Sequence, residues 1–329
     1  MATEMHVRLS AKERVLLAMT LLLAPIFLCE IYGVAVMRRA PAFLGSRAAE
    51  MPQFADLLVA AAVSVAIIAL RIVLTTMLQP LGRVLLSPKK RENPARVERF
   101  ATVAFKFLYF TFITTIGYYV MKDEKWLPPQ LGGAGAMVEA FYTLDVPPST
   151  AIKYYTLVQL GYHFHSLVYM LVLTPIRNDF LEMMVHHVAT IFLIGCSYLS
   201  NYWAPGALVA FVHDIGDVTG YAIKSVVDTG NTPLVVFMYI VLLVSWGYSR
   251  LFVFPDMIYH GVFILPEVNP SISMVFLHPM NTMLSMLQLL HVYWYSLFIV
   301  MGYTLLTTGK QEDIQNQIKD EPKTKEKAR

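Results

Sequence analysis

Charged residues are scarce in this sequence. Only 15% of its 329 residues are Asp, Glu, Lys or Arg, and 56% are hydrophobic, whereas charged residues make up about 25% of an average soluble domain. This shortage argues against a soluble protein and predicts an all-α protein that crosses a membrane several times. The formal net charge is only +3, and the basic residues lie in loops and at the ends, so we expect no nucleic-acid partner.

Cysteine is also rare. The only two, Cys29 and Cys196, both lie in apolar segments, which argues against a disulfide framework. A small-residue cleavage site is missing as well. The first apolar run follows basic residues and continues for about 23 residues, so it is predicted to be a signal anchor rather than a cleaved signal peptide.

Eight apolar stretches are long enough to cross a hydrocarbon core about 30 Å thick as helices. We therefore predict eight transmembrane helices, with seven as the rival count. A stretch near 257–277 is interrupted by prolines and is predicted to be a loop or a re-entrant segment. The predicted helices cover residues 15–37, 54–78, 98–121, 150–174, 181–199, 203–227, 233–254 and 281–306.

The distribution of Lys and Arg predicts the orientation, since cytosolic loops carry an excess of both. The densest basic cluster lies in the 79–97 loop. If this loop is cytosolic and the chain crosses eight times, both termini are cytosolic. The C-terminal tail is polar and is predicted to be disordered. Its Lys325 and Lys327 fit a dilysine signal for retrieval to the endoplasmic reticulum.

Five ionisable residues lie inside two neighbouring apolar segments: His186, His187, His213, Asp214 and Asp217. Each costs on the order of 2.5–3.5 kcal/mol at the centre of a membrane helix, so such residues are a functional hypothesis by default. The turn between the two segments is short, which makes the helices antiparallel neighbours. We expect the histidines and carboxylates to meet in the cytosolic half of the membrane.

Three interpretations of this cluster compete. It can be a buried hydrogen-bonded network that fastens helices together, a metal site, or a site of acid–base or nucleophilic chemistry. His and Asp are good metal ligands, but the His186-His187 pair lacks the spacing of the histidine boxes of membrane di-iron enzymes, and we predict no bound metal. Five ionisable groups on two adjacent helices favour chemistry over packing alone.

Several motifs follow one another along the second half of the chain. They are Arg177-x-Asp179-Phe180-x-x-Met183-x-x-His186-His187-x-x-Thr190, Ser197-Tyr198-x-x-Asn201, His213-Asp214-x-x-Asp217, Lys224, Arg250-Leu251-x-x-Phe254-Pro255, and Leu287-Gln288-x-Leu290-His291-x-x-Trp294. Their order resembles that of the ceramide synthases, the acyltransferase branch of the TLC-domain family. The resemblance covers about 98–306 and six helices. It implies a division into 1–97, with a cytosolic N-terminus and two leading transmembrane helices, a TLC domain at 98–306, and a cytosolic tail at 307–329.

The resemblance implies an enzyme of the endoplasmic reticulum membrane that transfers a fatty acyl group from acyl-CoA to the amine of a sphingoid long-chain base. Six helices would form a barrel around a lipid tunnel, with acyl-CoA as co-substrate and no bound cofactor. Homo- or hetero-oligomers are left open. The alternative is a non-catalytic TLC protein that binds or traffics lipid or assists a translocon. The implied catalytic residues are His186, His187, Asp214 and Asp217. The implied substrate-binding residues are His213, Thr190, Arg177, Asp179, Ser197, Tyr198, Asn201, Lys224, His165 and Trp294.

Two further expectations concern the ends of the site. Of His163 and His165, which are two residues apart and so do not share a helix face, we expect His165 to point inward. The resemblance also implies that acyl-chain length depends on the segment at roughly 255–280, predicted here to be a long loop that caps the tunnel. The chain departs from the family at Tyr221, where a glutamate is usual.

Overall fold

The computed structural model describes residues 11–174, 179–270 and 272–308, with side chains from residue 23 onward apart from Ala42. Within these ranges the chain folds into helices and has no strand, which confirms the all-α prediction. The long helices are α1 Ala11–Met37, α2 Leu57–Leu85, α3 Pro94–Met121, α4 Thr150–Leu173, α5 Phe180–Leu199, α6 Trp203–Val226, α7 Thr232–Val268 and α8 Met274–Thr308.

Six of these helices, α2 to α5, α7 and α8, are long and apolar enough to cross a membrane, and α1 contributes a shorter apolar stretch, Leu23–Met37. Helix α6 has the length but carries the polar residues of the cluster. It packs against α3, α4, α5 and α7, so protein surrounds much of its surface. A helix in that position needs less apolar surface than one that faces lipid. Because six of its helices are long and apolar enough to cross a membrane, the chain is a polytopic membrane protein. The count of eight crossings stays a prediction.

Local sequence explains where several helices begin. The Asn93 side chain accepts a hydrogen bond from the Ala95 amide at 3.0 Å, and Pro94 takes the first position of α3. Ser149 caps α4 through the Ile152 amide. Asn231 caps α7 through the Leu234 amide. Asn and Ser at the cap satisfy amides that lack a partner within the helix, and proline suits the first turn because its missing N–H is not needed there.

The two ends of the helix bundle are each fastened by a buried or half-buried carboxylate, and we name the ends after them. At the Asp56 end, Asp56 accepts from Lys153 at 2.6 Å and from the Tyr198 hydroxyl at 2.7 Å, which joins α2 to α4 and α5. At the Asp228 end, Asp228 pairs with Lys90 at 2.6 Å and Arg99 at 3.0 Å. These contacts fix the turn after α6 against the start of α3.

The two leading helices pack closely on the others. Helix α1 lies against α8 and α5, and α2 lies against α3 and α4. At Gly33 of α1 an added Cβ would stand 2.6 Å from the backbone of Phe276 in α8, so only glycine permits this approach. The helices that carry the cluster are therefore held in part by the leading helices.

The predicted long loop at 255–280 is wrong. Helix α7 continues to Val268, α8 begins at Met274, and the described residues between them form a short connection. Pro255 and Pro266 each follow a π-helical segment, at Gly247–Val253 and His260–Ile264. Proline interrupts the backbone ladder and crowds the preceding turn, and the wider π-helical turns accommodate this disruption without ending the helix.

Candidate active site

Helices α4, α5, α6 and α8 enclose a small cavity in the interior of the bundle. The space measures about 20 Å³, enough for roughly one water molecule. A fatty acyl chain can therefore reach this point only if the surrounding side chains or helices move apart. The lining residues are His163, His186, Thr190, Leu193, Ile194, Val209, Ala210, His213, Asp214, Asp217 and Leu287.

The cavity lies in the half of the bundle nearer the Asp228 end. His186 is six residues into α5, which starts at that end, and Asp217 is nine residues before the end of α6. At 1.5 Å per residue these positions are about 9 and 14 Å inside their helices. The structure thus brings His186, Thr190, His213, Asp214 and Asp217 together, as the antiparallel arrangement of α5 and α6 predicts.

Asp217 forms an ion pair with Arg250 of α7. The guanidinium Nη2 lies 3.0 Å from Asp217 Oδ1, and the Arg250 side chain is 1% exposed. The same Nη2 donates to the His213 carbonyl at 2.6 Å, and Nη1 donates to His291 Nε2 at 2.8 Å. A buried charge is tolerated when it is paired and hydrogen-bonded in this way. Arg250 therefore ties α6, α7 and α8 together at the level of the cavity.

The hydrogen bonds of His213 define its tautomer. Its Nδ1 lies 2.6 Å from the Val209 carbonyl, and a carbonyl can only accept, so Nδ1 carries the proton. In the neutral ring Nε2 then bears a lone pair. This atom is buried and has no hydrogen-bond partner among the described residues. His213 thus presents an oriented proton acceptor at the cavity.

Asp214 is anchored differently from Asp217. Its Oδ2 accepts from the Tyr155 hydroxyl at 3.2 Å and also from the Gln159 amide, both on α4. Gln159 in turn donates to the Tyr155 hydroxyl at 3.1 Å. The side chain is 2% exposed. This network fixes the position of Asp214 against α4.

The two adjacent histidines of α5 point in different directions. His186 lines the cavity and meets Trp294 edge-on, with ring centroids 5.5 Å apart. Its Nδ1 is buried and unpartnered among the described residues. His187 is directed toward α4, where its Nε2 lies 3.4 Å from the Ser166 hydroxyl. His186 is thus the member of the pair that a substrate in the cavity would meet.

Three predicted binding residues lie at the Asp56 end, away from the cavity. Ser197 donates to the Ile194 carbonyl at 3.1 Å, and Tyr198 donates to Asp56. Asn201 adopts φ 63°, a left-handed conformation that asparagine tolerates, and its amide donates to the carbonyls of Thr143, Leu144 and Val146. These contacts fasten the turn between α5 and α6, and the structure does not bring the three residues to the cluster.

The other predicted binding residues surround the cluster at different distances. Trp294 contacts His186, whereas Lys224 lies in the last turn of α6, with its Nζ 5.8 Å from the Tyr221 ring. Asp179 precedes the first residue of α5. Arg177 lies outside the described residues.

The two histidines of α4 face in different directions. His165 is fully buried, and its Nε2 lies 3.4 Å from Arg71 Nη1 of α2. His163, and not His165, lines the cavity.

The structure brings several residues to the site that the sequence did not identify as site residues. The main one is Arg250, which pairs with Asp217. An arginine inside an apolar stretch was a visible signal of the same kind as the aspartates. The expectation that His165 points inward is wrong, because His163 lines the cavity and His165 does not. Tyr155 and Gln159 carry no charge and gave no comparable signal. In the described parts of the chain, groups of three or more side chains suited to hold a metal ion are not found.

Comparison with known proteins identifies a family. The family model of the TLC domain matches residues 99–300, more than half of the chain. Ceramide synthase 3 of Homo sapiens is 28% identical over 237 residues, which cover 71% of this chain and 59% of the relative.

Two relatives from other kingdoms give similar values. Sphingosine N-acyltransferase lac1 of Schizosaccharomyces pombe is 28% identical over 255 residues, 71% of this chain and 62% of the relative. Ceramide synthase LOH2 of Arabidopsis thaliana is 31% identical over 177 residues, 52% of this chain and 60% of the relative. The chain thus spans about three fifths of the length of these curated relatives. It belongs to the TLC-domain family and is similar to the ceramide synthases within that family.

Proposed function

We propose that this protein is a ceramide synthase, which transfers a fatty acyl group from acyl-CoA to the amine of a sphingoid long-chain base. The observation that carries the proposal is the cavity at which His186, His213, Asp214 and Asp217 meet inside the bundle. The similarity to ceramide synthases over about 70% of the chain supports it. His186 Nδ1 and His213 Nε2 are buried in residues that line the cavity and have no hydrogen-bond partner among the described residues, so they are available to a substrate.

The reaction needs a group that removes a proton from the attacking amine. The amine nitrogen bonds to the thioester carbon, the carbon–sulfur bond breaks, and coenzyme A leaves as the thiol after taking up the proton. His213 Nε2 is suited to accept the proton, because the Val209 carbonyl holds its ring in the required tautomer. Arg250 supplies a fixed positive charge that pairs with Asp217 and holds this carboxylate in position beside the cavity.

A covalent route remains open for His186. Its unprotonated nitrogen can attack the thioester carbon first, so that the carbon–sulfur bond breaks, coenzyme A leaves as the thiol and an acyl-imidazole forms. The amine then attacks the acyl carbon, loses a proton to a neighbouring base and releases the imidazole. In that route Asp214 and Asp217 would offset the positive charge of the acylated ring. His187, bonded to Ser166 behind its neighbour, would hold His186 in place.

We further propose that the protein resides in the endoplasmic reticulum membrane with its Asp228 end toward the cytosol. Lys89, Lys90 and Arg91 lie in the short connection at that end, where the excess of basic residues favours the cytosol. Both termini would then be cytosolic, and acyl-CoA would approach from this side. The predicted retrieval signal at Lys325 and Lys327, and residues 309–329 of the predicted tail, lie outside the described residues.

The decisive assay uses purified full-length protein with sphinganine and a panel of acyl-CoAs of different chain length. The proposal predicts an N-acylated product with at least one donor. If no donor yields an amide, the result favours the rival function, that of a non-catalytic protein that binds or traffics lipid. Incubation with acyl-CoA alone, followed by mass spectrometry of α5 peptides, separates the routes. An acyl adduct on His186 supports the covalent one, and its absence in a protein that turns over supports direct transfer.

A further inference from the structure

One side of α5 carries a row of polar residues that leads into the cavity. Asp179, Glu182, His186 and Thr190 follow one another at intervals of three or four residues, which places them on the same side of a helix. His186 and Thr190 line the cavity. Glu182 lies one turn before His186, toward the Asp228 end. We call these four residues the α5 stripe.

Glu182 takes no part in the chemistry proposed above. Its Oε2 is buried and has no hydrogen-bond partner among the described residues. A carboxylate oxygen that is removed from water costs free energy unless a cation or a hydrogen-bond donor engages it. The Glu182 carboxylate is therefore available to a ligand, for the same reason as His186 Nδ1.

The inner end of the α5 stripe also indicates a ligand. Thr190 is only 9% exposed and lines the cavity, and its Oγ1 has no hydrogen-bond partner among the described residues. Such a hydroxyl can exchange a hydrogen bond with a hydroxyl group of a ligand. The stripe thus offers a carboxylate one turn before His186 and a hydroxyl one turn after it.

Helix α8 faces the outer end of the α5 stripe. The Tyr293 hydroxyl lies close enough to the carboxylates of Asp179 and Glu182 to interact with both electrostatically. Next to Tyr293, the apolar side chains of Leu289 and Val292 are exposed, as expected for a helix surface that contacts lipid. A head group at Glu182 can therefore belong to a lipid whose chain lies along this surface of α8.

The charge is of the opposite sign on the α3 side of the bundle. Lys106 Nζ lies 3.4 Å from the Tyr221 hydroxyl, and the positive charges of Lys106 and Lys224 act on the Asp217 carboxylate. A cationic head group would meet like charges on that side, whereas the carboxylates of the α5 stripe attract it. A phosphate head group would be repelled by the stripe. The distribution of charge therefore favours a cationic lipid between α5 and α8.

We propose that Glu182 captures the ammonium head group of the sphingoid base, which enters between α5 and α8 at the Asp228 end. The inference deepens the proposed function and rests on it for the identity of the lipid. An alkylamine is protonated at neutral pH, since its pKa lies near that of lysine, about 10.4, and it forms a charge-assisted hydrogen bond with a carboxylate. Capture is a binding step that precedes both routes described above. The head group then moves one turn inward to His186, where Thr190 engages one of its hydroxyl groups.

The test uses the full-length protein in lipid nanodiscs and two photoactivatable, alkyne-tagged probes of equal chain length. One is N,N-dimethylsphinganine, whose tertiary ammonium group keeps the charge but cannot become an amide. The other is the matching triol, in which a neutral hydroxyl group replaces the amine. Labelled peptides are mapped by mass spectrometry. We expect the ammonium probe to label residues 179–190 about tenfold more than the triol probe, the loss expected for one charge-assisted hydrogen bond, and sphinganine to compete. Equal labelling by the two probes, or no labelling of this segment, overturns the proposal.

Variants assign the charge preference to Glu182. Glu182→Gln removes the charge and keeps the shape, so labelling by the ammonium probe should fall to the level of the triol probe. The KM for sphinganine should rise about tenfold, while the KM for acyl-CoA stays unchanged. Glu182→Asp keeps the charge and should retain most of the preference. Glu98→Gln is the matched control, because Glu98 is an exposed carboxylate of α3 at the same end of the bundle.

The outcomes separate the two proposals. If the protein forms no amide yet the ammonium probe labels the α5 stripe in a way that depends on Glu182, the capture site stands and the ceramide synthase function fails. If amide forms normally and Glu182→Gln changes neither the labelling ratio nor the KM for sphinganine, the function stands and the capture site is wrong. If Glu182→Gln fails to accumulate, the two probes on the original protein still decide.

Discussion

The two halves of α5 carry polar residues that look equivalent in the sequence but have different surroundings. In the part that lines the cavity, His186 Nδ1 and Thr190 Oγ1 are buried and have no hydrogen-bond partner among the described residues. At the other end of the helix, the Tyr198 hydroxyl donates to Asp56 and the Ser197 hydroxyl donates to the Ile194 carbonyl.

This difference indicates how to separate function from fastening in a membrane helix. A polar group whose atoms are all engaged lowers the free energy of the folded state and needs no further explanation. A buried polar atom without a partner costs free energy unless a ligand or a reaction step engages it. By this criterion the His186 half of α5 belongs to the site, and the Tyr198 half belongs to the scaffold.

The largest effect should come from the cavity itself. His186→Ala and His213→Ala should each lower turnover by about 10²–10⁴-fold, the range for loss of a positioned acid–base group, while the protein still accumulates. The double variant should lose little more, because residues that act as one unit are not additive. Specific activity per folded molecule, with folding followed by size-exclusion chromatography, measures this. Surviving activity with reduced protein levels would instead assign His186 to the scaffold.

A second large effect is expected at Arg250, which belongs both to the site and to the scaffold. Arg250→Gln leaves Asp217 buried without its cation, and removal of one partner of a buried pair costs about 3–5 kcal/mol. Turnover and thermal stability should therefore fall together. The double variant Arg250→Gln with Asp217→Asn removes both charges and should recover much of the stability but none of the turnover. Recovery of turnover in the double variant would exclude a catalytic role for the charge.

The charged members of the site were accessible to sequence reasoning, because an ionisable residue in an apolar run is conspicuous. His186 and Asp217 followed from their helices being antiparallel neighbours. Arg250 gave the same signal, but it lies on a helix distant in sequence, and its partner is set by tertiary packing. Tyr155 and Gln159 reach Asp214 from α4, and neither residue type stands out in a membrane helix.

Proline explains the main error in the fold. The predicted loop at 255–280 rests on prolines such as Pro255 and Pro266, because proline lacks an N–H and crowds the preceding turn of a helix. Each instead follows a π-helical segment in which the backbone is already widened. The signal for such a segment lies in the packing of α7 against α6 and α8, which a single sequence does not contain.

At the Asp56 end, the variants should affect stability and spare catalysis. Asn201→Ala removes three hydrogen bonds and places alanine in a left-handed conformation, a strain of order 1–3 kcal/mol in itself. We expect a clearly lower midpoint of thermal unfolding with unchanged specific activity of the folded fraction. Tyr198→Phe, which removes only the bond to Asp56, should cost about 1.5–3 kcal/mol, the range for a hydrogen bond to a charged group. If either variant changed the KM for a substrate, the residue would belong to the binding site after all.

The smallest effect is expected at Asp228, which lies outside the membrane-spanning segments and fastens the opposite end of the bundle. Burial raises the pKa of its carboxyl group, but the hydrogen bond from Lys90 and the positive charges of Arg99, Lys90 and Arg96 lower it more, so the net pKa lies below its usual value. A carboxylate whose pKa is lower in the folded state stabilises the fold above its unfolded pKa, about 3.9. That contribution is lost as the pH falls through the folded value.

Asp228→Asn should therefore destabilise the protein by only about 0.5–1.5 kcal/mol at neutral pH, because its partners Lys90 and Arg99 are partly exposed and solvent screens the ion pairs. The gap in unfolding midpoint between the original protein and the variant should be constant from pH 7 to pH 5 and should close below about pH 4. Glu98→Gln in the first turns of α3 is the control. Its unfolding midpoint should equal that of the original protein at every pH. A gap that persists at pH 3 would show that Asp228 fastens this end through its shape and neutral hydrogen bonds rather than its charge.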